Sequence, residues 1–344
     1  MLPDLLSFTM VVIALALIFD FINGFHDAAN AISTIVATKV LKPWQAVCWS
    51  AFFNFIAFFF ISTGVAKTVG SGLIDLSFVT TEVIAAGLVA GIAWNLITWW
   101  WGMPASSSHT LVGALAGAAC GHVLMTTDVN PIGIYYGAAW GKLLAFIFIA
   151  PAVGFFLGFI IMRGTRWLQY KYRRRPWNKF YKGAQLASCA LLSFNHGGND
   201  AQKTAGVIAT AMVAGGYMSQ DNFHVPDWAL FSAYVAIALG TLMGGWRIVK
   251  TLGYKLTKLR PVHGFSAEMG AAGSIALATG LHLPISTTLT TTGAIVGVGA
   301  ARGQDRVTWS VFRRVMLVWA VTLPTSFAMG LVLIIASVLV GRMV

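Results

Sequence analysis

Two short polar boxes lie within otherwise apolar sequence, and their residue types are those that handle ions. Asn195-His196-Gly197-Gly198-Asn199-Asp200-Ala201-Gln202-Lys203 is the fuller one. Asn23-Gly24-Phe25-His26-Asp27-Ala28-Ala29-Asn30 echoes it, with Gly24, Asp27 and Ala28 aligning with Gly197, Asp200 and Ala201. A carboxylate or an ammonium at membrane depth is costly, so its default reading is functional. Asp27 and Asn30 stand three residues apart and share a helix face, as do Asp200 and Lys203. A carboxylate with amide oxygens suits a cation or a proton. Amide nitrogens and a lysine suit an anion.

A second pair of motifs points to the anion. Pro104-Ala105-Ser106-Ser107-Ser108-His109 and Pro284-Ile285-Ser286-Thr287-Thr288 each follow a break and start a helix. Proline suits a first helical turn, and Ser or Thr caps free amides. A helix N-terminus carries about half a positive charge, and two such ends facing each other in a membrane make an anion site. His109 has Leu289 as its counterpart, which excludes a symmetric role for it. Ser108 and His109 are neighbours on a helix and project about 100° apart, so they do not form a nucleophile–base pair. Asp20, Glu268 and Asn95 form a second tier, Asp20 and Glu268 as further candidates for the coupling ion.

The elements that must position these groups are membrane helices. Of 344 residues, 57% are hydrophobic and 10% charged, a balance outside the soluble globular classes. Runs at 5–24, 44–64, 83–101, 141–162, 228–246 and 311–340 are long enough, or nearly so, to span a bilayer. The first run lacks a basic leader and a cleavage site and reads as a retained helix. Residues 5–37 are too long for one straight crossing, so a break is expected near Gly24. The net charge of +12 sits in short loops, which indicates membrane orientation rather than nucleic acid. Cys48, Cys120 and Cys189 lie singly in apolar segments and read as free thiols.

The two box pairs recur in the same order. Asp27 and Pro104 are 77 residues apart, Asp200 and Pro284 are 84 apart. The chain therefore divides into a first repeat at 1–162, a basic linker at 163–182 and a second repeat at 183–344. The linker holds eight Lys/Arg and no acid, which places it in the cytoplasm. With about five passes per half, the second repeat is inverted relative to the first, and both termini face outward. The fold class expected is an all-α polytopic membrane protein of two inverted repeats with broken or re-entrant helices.

Gly-Phe-His-Asp-Ala-Ala-Asn at 24–30, Pro-Ala-Ser-Ser-Ser-His-Thr-Leu-Val-Gly at 104–113, His-Gly-Gly-Asn-Asp-Ala-Gln-Lys at 196–203 and Pro-Ile-Ser-Thr-Thr at 284–288 together resemble the inorganic phosphate transporter (PiT) family, and within it the bacterial low-affinity group. The likeness covers nearly the whole chain. It implies a carrier, not an enzyme, moving inorganic phosphate with a coupling cation across the bacterial cytoplasmic membrane. It also implies that Asp27, Asn30, Asn199 and Asp200 belong to the acidic signature boxes, and that Ser106, Ser107, Ser286 and Thr287 face phosphate. Ser108, Thr288 and Lys203 complete the expected substrate set. Leu289 departs from the family pattern, which has His there.

No nucleotide-binding motif is present, so a gradient is the expected energy source, and no cofactor is expected. The expected partners are phosphate, H+ or Na+, and the lipid bilayer. Lys203 can fill the place of a metal cation in the second repeat, which favours H+ over Na+. The sequence leaves open a divalent metal carried with phosphate, a homodimer, and sulfate or another tetrahedral oxyanion as the substrate of a carrier or channel.

Cysteines introduced at Tyr172 and Phe223 should react with impermeant reagent from opposite sides of the membrane. Labelling from the same side would contradict the inverted topology.

Overall fold

The computed structural model describes residues 2–343. Described residues form helices without a β-strand, apart from two isolated bridges. In the first repeat, α1 (Leu2–Ala37) is followed by the bent pair α2 (Pro43–Ile56) and α3 (Gly64–Ser71). Next come α4 (Thr81–Trp100), α5 (Ser107–Thr126) and α6 (Gly137–Lys171). The second repeat runs α7 (Trp177–Ala214), α8 (Asp227–Met243), α9 (Trp246–Lys250, continued by a π turn to Lys255), α10 (Pro261–Gly280), α11 (Thr287–Arg302) and α12 (Trp309–Met343). Only 172–176 separates α6 from α7. The bends between α2 and α3 and between α8 and α9 are 86° and 58°. Even the isolated bridges correspond: Ile74 pairs with Tyr135 in one repeat and Thr257 with Val307 in the other.

The inversion can be read from contacts. Helix α7 is the counterpart of α1, yet the two run antiparallel. Thr38 bonds Gln185, the Cys189 thiol bonds the Ala31 carbonyl, and Gly215 packs on Thr9. Within each repeat the first and fourth elements are parallel, as His26 with Thr98 and Asn199 with Thr279 show. Helices α1, α4, α5, α6 and α12 are long and apolar enough to cross a membrane, and each bent pair can count as one further span. Helix α7, which carries the fuller polar box, is not among them.

The expected break near Gly24 does not occur. Helices α1 and α7 continue through both polar boxes. Backbone groups inside a helix satisfy one another, and the polar side chains find partners on neighbouring helices, so nothing forces the chain to open there. The glycines serve approach instead: a Cβ on Gly24 would overlap the Ile237 carbonyl oxygen of α8, and one on Gly197 that of Asn54 on α2. The breaks lie in the bent pairs and at 101–106 and 281–286, before α5 and α11.

Hairpins α4–α5 and α10–α11 reach inward from opposite ends, with their tips at the level where α1 and α7 meet. The outer helix of each is held by the other repeat. Helix α5 lies parallel to α12 along Gly113, Gly117 and Gly121, and α11 lies parallel to α6 along Gly293 and Gly297. Such small-residue seams let backbones touch where lipid supplies no hydrophobic drive. Basic residues gather at one end: Arg302 bonds the Lys258 carbonyl and Arg166 that of Ala301.

Gly117→Ala should destabilise the fold by about 1–3 kcal/mol, because its Cβ would strike the Phe327 backbone and not a movable side chain. Gly164→Ala, with open space around it, should be neutral. Melting of the detergent-solubilised variants checks both.

Candidate functional site

Helix α11 begins between the two carboxylates. Ser286 caps it by accepting from the Leu289 amide at 3.2 Å, as Ser106 caps α5 by accepting from the His109 amide at 3.2 Å. The next hydroxyls of α11 turn outward. Thr287 donates to Asp200 Oδ2 and Thr288 to Asp27 Oδ2, both at 3.1 Å. Asn30 donates to Thr288 at 2.9 Å and more weakly to Thr287 at 3.4 Å. One helix N-terminus thus bridges the polar boxes of α1 and α7.

Lys203 ties in the other hairpin. Its ammonium donates to Asp200 Oδ1 at 2.5 Å, to Ser108 Oγ at 2.5 Å and to the Ile285 carbonyl at 2.7 Å. An ammonium has three donors, and all three are used. Ser108 donates in turn to the Ile285 carbonyl at 3.1 Å, so the tips of α5 and α11 face each other.

The two histidines differ. His26 places Nδ1 2.7 Å from Asp27 Oδ1 and Nε2 3.2 Å from the Thr98 hydroxyl. His196 donates from Nδ1 to Asn54 Oδ1 at 3.2 Å, and Asn54 donates to Thr241. Its Nε2 is 3.2 Å from Asp200 Oδ2 but outside hydrogen-bonding geometry, and it has no other partner. Asp27, His196 and Asp200 each bring a ligand atom within 4.8 Å of the others, close enough to hold a cation. Asn30 Oδ1, Ser107 Oγ and Asn199 Oδ1 are buried without a partner. A buried polar atom left unpaired costs free energy, so these three atoms are available to accept or donate a further hydrogen bond. The whole set is sealed, and its most exposed member, Ser108, reaches only 6%.

The structure therefore brings together Asp27, Asn30, Ser108, Asp200, Lys203, Thr287 and Thr288. Ser106 and Ser286 spend their hydroxyls on their own helices. Asn199 turns to Thr279 and the Leu283 carbonyl, holding the tip of α10–α11. Asp20 is buried two turns before Asp27, with only a long 3.4 Å bond from Asn23. Glu268 belongs to a separate group. It accepts from Thr34 at 2.5 Å, from Gln185 at 2.8 Å and from Ser188. Thr34, Gln185, Ser188 and Thr98 were not singled out from the sequence. The signal was present along α1 and the turn that ends it, where Asp20, Asn23, Asp27, Asn30, Thr34 and Thr38 recur every three or four residues, all buried.

Two inverted repeats, antiparallel discontinuous hairpins and a charged centre between their tips define a multi-pass membrane carrier. Residues 23–330 match the model of the phosphate transporter family, and the chain belongs to that family. It is 46% identical to the Rhizobium meliloti (strain 1021) protein named "Probable low-affinity inorganic phosphate transporter", over 93% of this chain and 94% of that one. A Bacillus subtilis (strain 168) protein of the same name is 40% identical over 95% and 96%. A solved structure titled "The sodium-dependent phosphate transporter" shares the fold, with a TM-score of 0.82, 23% identity and coverage of 97% of this chain and 99% of that one.

Asp200→Asn should destabilise the protein by about 3–5 kcal/mol, because it leaves the Lys203 ammonium buried beside a neutral amide. Adding Lys203→Met should restore most of the melting temperature without restoring uptake. A single variant as stable as the parent would show that the pair is not ionic.

Proposed function

We propose that the protein imports inorganic phosphate across a bacterial cytoplasmic membrane in symport with a cation, and that the cation is the proton. Phosphate binds between the tips of α5 and α11, taking donors from Ser107, Ser108, Thr287, Thr288, Asn30 and Lys203. In the sealed arrangement the Lys203 donors are already engaged, so binding exchanges the Ser108 and Ile285 contacts for phosphate oxygens.

The observation that carries this reading is the charge of the centre. Asp27 and Asp200 contribute −2 and Lys203 +1, a sum of −1 with neutral histidines. A phosphate dianion raises that to −3. Such a charge is not tolerated in a low-dielectric site, so positive charge must enter with the anion. Lys203 stands in the second repeat where Asn30 stands in the first, and fills with an ammonium the place a metal cation would take. Protons on the carboxylates or on His196 Nε2 supply the remainder.

The triad of Asp27, His196 and Asp200 favours a second reading, in which sodium, or a divalent metal accompanying phosphate, is held by those ligand atoms.

Purified protein in sodium-free liposomes, acid outside, should concentrate labelled phosphate, and excess sulfate should not compete. Uptake driven by a sodium gradient alone would establish the second reading instead. Competition by sulfate would widen the substrate to tetrahedral oxyanions.

A further inference from the structure

A polar cavity, remote from the sealed carboxylate centre, opens at the basic end of the molecule. It measures about 680 Å³. That is room for about twenty waters, and it falls in the size range of small-molecule sites. Four arginines from four elements converge on it: Arg166 of α6, Arg260 before α10, Arg302 ending α11, and Arg306 in the following turn. Gln169 and Asn178, from α6 and α7, add amide groups.

The positive charge is poorly compensated. Arg166, Arg260 and Arg306 all bear unfavourably on Arg302, and Asp305 is the acid that offsets them. Asp305 is itself taken up by Arg306 at 3.1 Å. Arg302 and Arg166 spend one donor each on backbone carbonyls. Among the described residues these guanidinium groups have no further hydrogen bond or ion pair. Arginine forks match phosphate oxygens two at a time, and basic pockets between membrane helices at the cytoplasmic side suit phosphate-bearing anions.

Position adds a consequence. The cavity lies at the open end of hairpin α10–α11, where it meets α6 and α7. Two turns beyond Asn178 along α7, Gln185 packs on Gly264 of α10 and bonds Glu268, which also holds Thr34 of α1. Thr34 is one turn from Asn30. An anion in the cavity would pin the base of the hairpin whose tip forms the transport site.

We propose that this basin binds a cytoplasmic anion bearing two or more phosphate groups, and that the bound anion clamps α10–α11 to α6 and α7 and slows transport. The source is either a soluble polyphosphorylated compound or the headgroup of a diphosphatidyl lipid. The site is distinct from the transport centre, and binding can be measured without turnover.

The test uses full-length purified protein, and the doubly substituted Arg260→Gln/Arg306→Gln form, whose altered side chains are exposed. Tripolyphosphate is the soluble probe. Phosphatidylcholine vesicles with and without diphosphatidylglycerol are the lipid probe. At least one probe should bind the parent and bind the double variant about tenfold or more weakly for the loss of two guanidinium–phosphate contacts. That probe, trapped in the vesicle lumen or added to the bilayer, should slow uptake by the parent and not by the variant. Tripolyphosphate acting alone assigns a soluble ligand, and diphosphatidylglycerol acting alone assigns a lipid. Failure of both probes, equal binding by the two proteins, orthophosphate matching tripolyphosphate, or binding without any change in uptake would each overturn the proposal.

Discussion

Buried charge governs this molecule. Two carboxylates and one ammonium sit near the middle of a bilayer protein with at most a few per cent of their surface exposed. Each would be prohibitive alone. Together they are admissible because every one is met by a hydroxyl, an amide or an opposite charge from a different helix. Asp27 has His26 and Thr288; Asp200 has Lys203 and Thr287; Lys203 has Ser108 and the Ile285 carbonyl. The hairpin tips must come to the centre for those partners to exist. The polar boxes thus dictate where the chain breaks, although the chain does not break at the boxes.

The repeats are alike in scaffold and unlike in chemistry. Both hairpin helices are capped by serine with the same geometry, and in both the residue before the aspartate, His26 or Asn199, reaches a threonine near the end of the preceding hairpin helix. The differences fall on the residues that face the centre. Lys203 replaces Asn30, and Ser107 and Ser108 replace Thr287 and Thr288. A symmetric frame therefore encloses an asymmetric electrostatic field, with the ammonium on the α5 side and the hydroxyl bridge on the α11 side.

Much of this was legible in the sequence because burying polar groups in lipid leaves few meanings for them. Asp27, Asp200, Lys203 and the two Ser/Thr helix starts stood out as polar residues in apolar surroundings, and their spacing exposed the duplication. The antiparallel meeting of α1 and α7 agrees with the charge-based inversion. What the sequence could not supply was the partner of each group. Ser106 and Thr287 look equivalent as hydroxyls after a proline, yet one caps its own helix and the other bonds the Asp200 carboxylate of α7. Side-chain direction decides that, and direction depends on packing from the other repeat. Gly24 misled for a similar reason: glycine marks a break or a close approach, and only the presence of α8 against it chooses between them.

The crossed seams have a consequence in time. Helix α5 finds its parallel partner only in α12, whose first residue lies 183 positions after the end of α5 (309 − 126). At the usual rate of synthesis, about 5–20 residues per second, that is a delay of about 10–40 s. During that interval the Gly113–Gly117–Gly121 face of α5 has been made and has nothing to close upon. The first half of the chain cannot reach its final form until the last helix is threaded, and a ribosome that stalls before Trp309 leaves a hairpin with one side open to lipid.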